Sequence, residues 1–185
     1  MDLILASGSP RRQELLRNAG ISFTARAANI PEVVLAGESP HACAMRLATE
    51  KARAVFQPRS DECVLGADTI VVVDGEILGK PQDEKDAARM LRLLSNRTHE
   101  VITGVSLLGD FEDSRCERTL VSMSALSGED IQQYVATREP MDKAGAYAIQ
   151  GIASRWIHRI EGDYFNVVGL PVALAHRMLR EHHVI

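Results

Sequence analysis

The stretch CVLGADTIVVVDGEIL, residues 63 to 78, decides the fold class of this chain. Apolar residues occupy both alternating faces from Cys63 to Val73, which is typical of a strand that is covered on two sides. Asp74 and Gly75 then predict a hairpin turn. Strand and helix patterns alternate on either side of this stretch, and this order favours an α/β fold with a mixed or parallel sheet.

The helix boundaries are indicated by capping residues. Ser39 before Pro40 predicts a helix that continues to about Phe56 and is ended by Pro58. Ser127 and Asp130 form a capping box for a helix that reaches Arg138. The remaining predicted strands cover about residues 3–6, 23–27, 98–108, 114–125 and 155–160, and the remaining helices about 10–19, 83–94 and the segment after Pro171. Residues 139–150 are predicted as a loop, and residues 162–171 as a turn.

Length and composition restrict the function classes. A chain of 185 residues with 45% hydrophobic residues can bury a sizeable core, and we expect a single domain over residues 1–185. A net charge of −4 and an aromatic content of 4% disfavour nucleic-acid binding. We find neither a signal peptide nor an apolar run of about 18 residues, and therefore expect a cytoplasmic protein without a membrane partner.

The spacing of the cysteines and histidines indicates neither a disulfide framework nor a metal site built from thiolates or imidazoles. The three cysteines, Cys43, Cys63 and Cys116, are widely separated and odd in number. The six histidines contain no HxxxH or HxH pair. We therefore expect the thiols to fill core or surface positions.

The segment ASGSPRR, residues 6 to 12, places two arginines in the first turn of a helix, where the macrodipole is already positive. Arg12 shares a helix face with apolar residues, beside the hydroxyls of Ser7 and Ser9. These groups and the helix N–H groups have the composition of a phosphate site at a strand-to-helix turn. The alternative is that Arg11 and Arg12 are solvated surface residues.

Two further charges interrupt apolar patterns. Lys51 lies in the middle of the apolar face of the 40–56 helix, and is either paired inside the molecule or held for a ligand, which we favour. If Arg12 and Lys51 are unpaired, removal of either should slightly stabilise the free protein. Asp68 is the one carboxylate within the 63–73 strand, where a structural role would need several donors. Lys80 in GKP is more simply explained as an exposed turn lysine.

Six motifs resemble those of the Maf family of nucleotide pyrophosphatases, in the same order and over nearly the whole chain. They are ASGSPRR (6–12), GADT (66–69), GKP (79–81), TGV (103–105), DKAGAYAIQG (142–151) and GDYFNVVGLP (162–171). The resemblance implies a two-lobed α/β fold, with a mixed sheet and flanking helices around a central cleft, related to the inosine triphosphate pyrophosphatases. It also implies that a homodimer is a candidate assembly.

The resemblance assigns roles to particular residues. Asp68 is implied as the base that activates water, with a divalent cation, Mg²⁺ or Mn²⁺, held by Asp68 and Glu32. The implied substrate ligands are Ser7, Arg11, Arg12, Lys51, Thr69 and Lys80, with Gln150 at the base. The tripeptide IQG (149–151) resembles the branch that cleaves dTTP and UTP to the monophosphate and diphosphate. The alternatives are a 7-methyl-GTP pyrophosphatase of the same family and a nucleotide-sensing regulator of cell division without turnover.

Overall fold

A computed structural model describes residues 1–57 and 61–185 of the chain. Its strands are β1 (Asp2–Leu5), β2 (Thr24–Ala25), β3 (Glu62–Val73), β4 (Glu76–Leu78), β5 (Thr98–Leu108), β6 (Glu112–Met123) and β7 (Ile157–Glu161). Its α-helices are α1 (Pro10–Asn18), α2 (Pro40–Val55), α3 (Glu84–Leu94), α4 (Gly128–Ala136), α5 (Tyr164–Val168) and α6 (Val172–Glu181). This order of elements confirms the mixed α/β class.

In the described part of the chain, all seven strands form one mixed sheet. Six of its strands follow the order β2-β1-β3-β5-β6-β7, and the seventh, β4, pairs with β3. β1 is parallel to both β2 and β3, whereas the β3–β4 and β6–β7 pairs are antiparallel. Ten of the twelve residues of β3 are buried, which is the burial that its doubly apolar pattern predicts.

The chain divides into two compact units. The first unit contains Met1–Thr69, Thr103–Glu117 and Gly169–Ile185. One apolar cluster in this unit is formed by Ile4, Ala6, Ala52, Val55 and Val64, which come from β1, α2 and β3 and the residue after β1. Apolar side chains of α2 therefore pack against those of β1 and β3 in this unit.

The second unit contains Ile70–Ile102 and Arg118–Val168. Its core is built on the buried face of α3, where Ala87, Met90, Leu91 and Leu94 pack with Tyr134 of α4. Burial lowers the pKa of His99 on β5 to about 4, and its Nε2 is hydrogen-bonded to the Tyr147 hydroxyl at 2.7 Å. The buried imidazole is therefore neutral at pH 7.

Most predicted boundaries are confirmed. Ser39 caps α2 by accepting a hydrogen bond from the Ala42 N–H, and Ser127 and Asp130 form the predicted capping box of α4. Pro58, predicted to end the second helix, lies outside the described residues. The single-domain organisation and the cleft stay predictions.

Two predictions about loops are wrong. Residues 139–150 contain 3₁₀ turns at Glu139–Asp142 and Ala144–Ala146, instead of an irregular loop. The 162–171 segment contains the short helix α5 instead of a turn. Asn166 in α5 is fully buried and donates hydrogen bonds to the Val101 carbonyl and the Thr119 hydroxyl, so tertiary contacts hold this helix in place.

Within residues 1–57 and 61–185, no helix has both the length and the apolar character that crossing a bilayer requires. All three cysteines are free thiols. Burial raises the pKa of the Cys43 and Cys63 thiols to about 11, so both are protonated at neutral pH.

Candidate active site

The position of Asp68 depends on a close approach of α2 to β3. A Cβ on Gly66 would overlap the carbonyl oxygen of Ala48 and would lie 2.9 Å from the Ala52 nitrogen. The helix backbone therefore rests directly on the strand at Gly66. Because side chains two residues apart on a strand share a face, Asp68 points toward the same helix as Gly66.

Lys51 of α2 joins two carboxylates. Its Nζ donates to Oδ1 of Asp68 at 2.5 Å and to Oε1 of Glu32 at 2.6 Å. Lys51 and Asp68 are only 7% and 5% exposed, whereas Glu32 lies in the exposed loop before α2. The ammonium therefore neutralises a buried carboxylate, and removing one member of such a pair is costly.

Arg12 of α1 is held by contacts on another side of β3. Its Nε donates to the Gly169 carbonyl at 2.7 Å, and its Nη2 donates to the Thr69 hydroxyl at 3.0 Å. Its Nη1 lies 3.5 Å from the Ser7 hydroxyl. These contacts use three of the five N–H groups of the guanidinium. The described hydrogen bonds thus orient Arg12 and leave two N–H groups for an anionic ligand.

The Arg12 guanidinium and the two carboxylates affect each other electrostatically. Burial lowers the pKa of Arg12, and the charges of Asp68 and Glu32 act in the opposite direction. The neighbouring Arg11 charge adds to the lowering. The first unit therefore concentrates both signs of charge around Asp68 and Thr69.

The prediction of an unpaired cation is wrong for Lys51, which has two carboxylate partners, whereas the hydrogen bonds of Arg12 go to an uncharged carbonyl and uncharged hydroxyls. Both side chains have partners within the chain, and Lys51 has two carboxylates. Deleting Lys51 would leave the Asp68 carboxylate buried without its cation, so the expected slight stabilisation is replaced by a large destabilisation. For Lys51, the alternative of internal pairing is therefore the one that the structure supports in the free protein.

The structure brings together most of the predicted site residues. Ser7, Arg12, Glu32, Lys51, Asp68 and Thr69 are connected by the contacts above, all within the first unit. Arg11 is half-buried on α1. Lys80 and Gln150 belong to the second unit, where both are exposed.

Sequence reasoning missed two residues that position Arg12. The Thr103 and Thr69 hydroxyls are hydrogen-bonded to each other at 2.9 Å, and Gly169 supplies the carbonyl that accepts from Arg12. Thr103 is fully buried within strand β5. Both residues lie in motifs of the family resemblance, TGV (103–105) and GDYFNVVGLP (162–171), but those motifs alone gave neither residue a role.

Among the described residues, no cluster of three or more His, Cys, Asp or Glu side chains is arranged to hold a metal ion. Asp68 and Glu32 nevertheless direct one carboxylate oxygen each at a single cation, the Lys51 ammonium. Two hard oxygen donors of this kind fit Mg²⁺ or Mn²⁺, since Mg²⁺ usually takes one or two carboxylates together with phosphate oxygens.

A family model described as Maf-like protein matches residues 2–182. The chain belongs to the Maf family. The resemblance of the six motifs is thereby confirmed, since the Maf match includes all of them.

Several Maf relatives named "dTTP/UTP pyrophosphatase" match nearly the full chain. The relative from Koribacter versatilis (strain Ellin345) is 56% identical, and the alignment covers 100% of this chain and 96% of the relative. The relative from Symbiobacterium thermophilum is 54% identical, with 97% and 93% covered. The relative from Clostridioides difficile (strain 630) is 45% identical, with 100% and 97% covered.

A solved structure, a nucleoside-triphosphatase (dITP/XTP pyrophosphatase) from Mycobacterium abscessus, aligns with this Maf chain at a TM-score of 0.45 and 17% identity. The alignment covers 100% of this chain and 94% of that protein.

Proposed function

We propose that this protein is a nucleoside triphosphate diphosphatase that hydrolyses dTTP and UTP to the monophosphate and diphosphate. The observation that carries the proposal is the buried Asp68 carboxylate, which is bonded to Lys51 beside the Arg12 guanidinium. The names of relatives that are 45–56% identical over nearly the full chain support the choice of substrates.

In this mechanism Asp68 takes a proton from the water that attacks the α-phosphorus. A bond forms between the water oxygen and the α-phosphorus, and the bond from that phosphorus to the oxygen bridging the α- and β-phosphates breaks. Diphosphate leaves with the bonding electron pair. Lys51 holds the Asp68 carboxylate in place before the substrate arrives, so the base is already positioned in the free enzyme.

The cations of the site bind the triphosphate and offset the charge that develops on the leaving diphosphate. Arg12 is oriented for this role by Gly169 and Thr69, and Ser7 lies beside it. On the family resemblance we also assign Arg11, Lys51, Thr69 and Lys80 to the substrate phosphates. The exposed Glu32 contact is the one that Lys51 can release most easily when phosphate groups compete for its ammonium.

Asp68 and Glu32 would hold a divalent cation, Mg²⁺ or Mn²⁺, because they are the carboxylates that meet at one positive charge. When bound, such an ion supplies positive charge that lowers the pKa of the attacking water. Removal of divalent cations with a chelator should therefore abolish turnover, and added Mg²⁺ or Mn²⁺ should restore it.

Gln150 is assigned to the base of the substrate. Its amide has one acceptor and two donors, and uracil and thymine present a carbonyl at position 4 beside an N–H at position 3. Cytosine presents the reverse pattern, so an oriented amide rejects it. Neither the 2′-hydroxyl nor the 5-methyl group takes part in this pairing, and both sugars and both pyrimidines are accepted.

The substrate is a free nucleotide, and we accordingly propose a cytoplasmic enzyme that acts without a nucleic-acid or membrane partner. We also propose that residues 1–185 form one functional domain. A homodimer is the candidate assembly, as the family resemblance implies.

A panel of nucleoside triphosphates, assayed separately for diphosphate and orthophosphate, tests the proposal. UTP and dTTP should release diphosphate far faster than CTP, ATP, GTP or 7-methyl-GTP. Asp68→Asn protein, purified in the same way, controls for contaminating phosphatases. Fastest cleavage of 7-methyl-GTP, release of orthophosphate, or tight UTP binding without turnover would each reject the proposal.

A further inference from the structure

The turn that carries Gln150 is tied at both ends to one pair of side chains. Ala148 to Gly151 form a β-turn closed by a hydrogen bond from the Gly151 N–H to the Ala148 carbonyl at 3.1 Å. Gln150 is the third residue of this turn, and its side chain is exposed. Two backbone N–H groups that flank Gln150 donate to side chains of the second unit: that of Ala148, the first residue of the turn, and that of Ile152, the residue after the turn.

Those side chains are Tyr134 of α4 and Glu139, which follows that helix. The Ala148 N–H donates to the Tyr134 hydroxyl at 3.2 Å, and that hydroxyl donates to Oε1 of Glu139 at 2.7 Å. The Ile152 N–H donates to the same oxygen at 3.0 Å. We refer to this arrangement of Tyr134, Glu139, Ala148 and Ile152 as the turn clamp.

The turn clamp is closely packed. Tyr134 is 1% exposed, and its ring packs edge-on against Trp156 with centroids 5.5 Å apart. A Cβ on Gly151 would overlap Oε1 of Glu139 and would lie 2.6 Å from Oε2. The carboxylate therefore lies directly against the turn backbone, and no side chain fits between them.

We propose that Tyr134 and Glu139 are positioning residues for base selection, because they fix the backbone from which the Gln150 side chain extends. This inference rests on the proposed function, in which Gln150 reads the pyrimidine edge. An amide on a loose turn can approach the base from more than one direction and pair cytosine in a rotated orientation. An amide on a fixed turn is restricted to one approach, and preorganisation of this kind increases discrimination.

Three variants change different contacts of the turn clamp. Tyr134→Phe keeps the ring packing but removes the hydroxyl that links Ala148 to Glu139. Gly151→Ala displaces the Glu139 carboxylate from the turn. Glu139→Gln is the conservative variant, because both short bonds end on a single oxygen that the amide carbonyl can replace.

Tyr147→Phe is the matched control. It also removes a buried tyrosine hydroxyl with a hydrogen bond of 2.7 Å, but that bond goes to His99 and not to the turn. The measurements are kcat/KM for UTP and for CTP, and amide hydrogen exchange at Ala148 and Ile152 without nucleotide. Hydrogen exchange reports the clamp independently of any activity.

We expect Tyr134→Phe and Gly151→Ala to reduce the ratio of kcat/KM for UTP to kcat/KM for CTP about tenfold. A small misplacement of the Gln150 amide is expected to have an effect of this order. Exchange at both amides should become faster. Glu139→Gln and Tyr147→Phe should keep a ratio close to that of the wild type. An unchanged ratio in Tyr134→Phe, or an equal loss in Tyr147→Phe, would overturn the inference. A wild type that does not prefer UTP would instead reject the proposed function.

Discussion

The Lys51 ammonium lies 2.5 Å from Asp68 and 2.6 Å from Glu32, so one cation joins a buried carboxylate to an exposed one. The two contacts are similar in length but differ in what their loss costs. Asp68 is shielded from water and depends on Lys51 for compensation, whereas the Glu32 carboxylate can be solvated instead. The contact to Asp68 thus contributes to the stability of the fold, whereas the contact to Glu32 is the one that Lys51 can exchange for a phosphate group.

Lys51→Met should lower the free energy of unfolding by about 3–5 kcal/mol, because it leaves the Asp68 carboxylate buried without its partner. The double variant Lys51→Met/Asp68→Asn should recover much of this loss, since the buried charge is gone. Urea unfolding measures both effects. Arg53→Met on the same helix is the control, because its ion pair with Glu112 is exposed and contributes less than about 1 kcal/mol. Additive effects of the two changes would show that Lys51 and Asp68 are not coupled.

Asp68→Asn should reduce kcat by about 10²–10⁴-fold, because an amide keeps the shape of the side chain but cannot accept the proton from water. KM for UTP should change much less, since the phosphate-binding cations remain. Steady-state kinetics with UTP measures the two parameters separately. Asp110→Asn, a change at an exposed aspartate, is the control and should keep wild-type rates. A rate within a few fold of the wild type would remove Asp68 from the mechanism.

His99 predicts an acid-sensitive part of the stability. Its folded pKa of about 4 lies below the ordinary value of 6.5. Between these values the unfolded chain binds a proton that the folded chain does not, so the free energy of unfolding falls as the pH decreases from 6.5 to 4. The full effect is about 3 kcal/mol.

Unfolding of His99→Gln protein between pH 4 and pH 7 tests this prediction. The variant lacks the titrating group, so its stability should fall less than that of the wild type over this range. His41→Gln, an exposed change, should follow the wild-type profile. Parallel profiles for wild type and His99→Gln would show that the His99 pKa is not lowered.

Gln150→Ala should reduce the preference for UTP over CTP more than it lowers the best rate, because the amide pairs the base and not the phosphates. The ratio of kcat/KM for the two nucleotides measures the effect. Gln132→Ala, at an exposed position of α4, should leave the ratio unchanged. Selectivity that survives the loss of Gln150 would place base recognition elsewhere.

The regular elements could be predicted because their signals are local. The doubly apolar run that defines β3 and the cap that begins α2 are both determined by neighbouring residues, and the structure has them where the patterns place them. Helix α5 could not be predicted in this way. It has five residues, and its fixed point is Asn166, whose partners Val101 and Thr119 are distant in the sequence.

For the candidate site, sequence reasoning identified the charges but not their pairing. Lys51 and Asp68 are each conspicuous in an apolar pattern, and both lie where that pattern predicts. Whether their side chains meet depends on how closely α2 packs on β3, which no local pattern records. The carbonyl of Gly169 is a similar case, because the contact to Arg12 depends on the backbone and not on the residue type.

The contact at Gly66 has a consequence for how this sequence can vary. Every replacement of this glycine adds at least a Cβ, and that atom has no space beside the Ala48 carbonyl. Even alanine would push α2 outward and carry the Lys51 ammonium away from Asp68, with no charged residue altered. At Gly128, by contrast, an added Cβ meets no atom within 4 Å. A change from glycine to alanine thus adds a methyl group without a clash at Gly128, whereas at Gly66 it separates the Lys51 ammonium from Asp68.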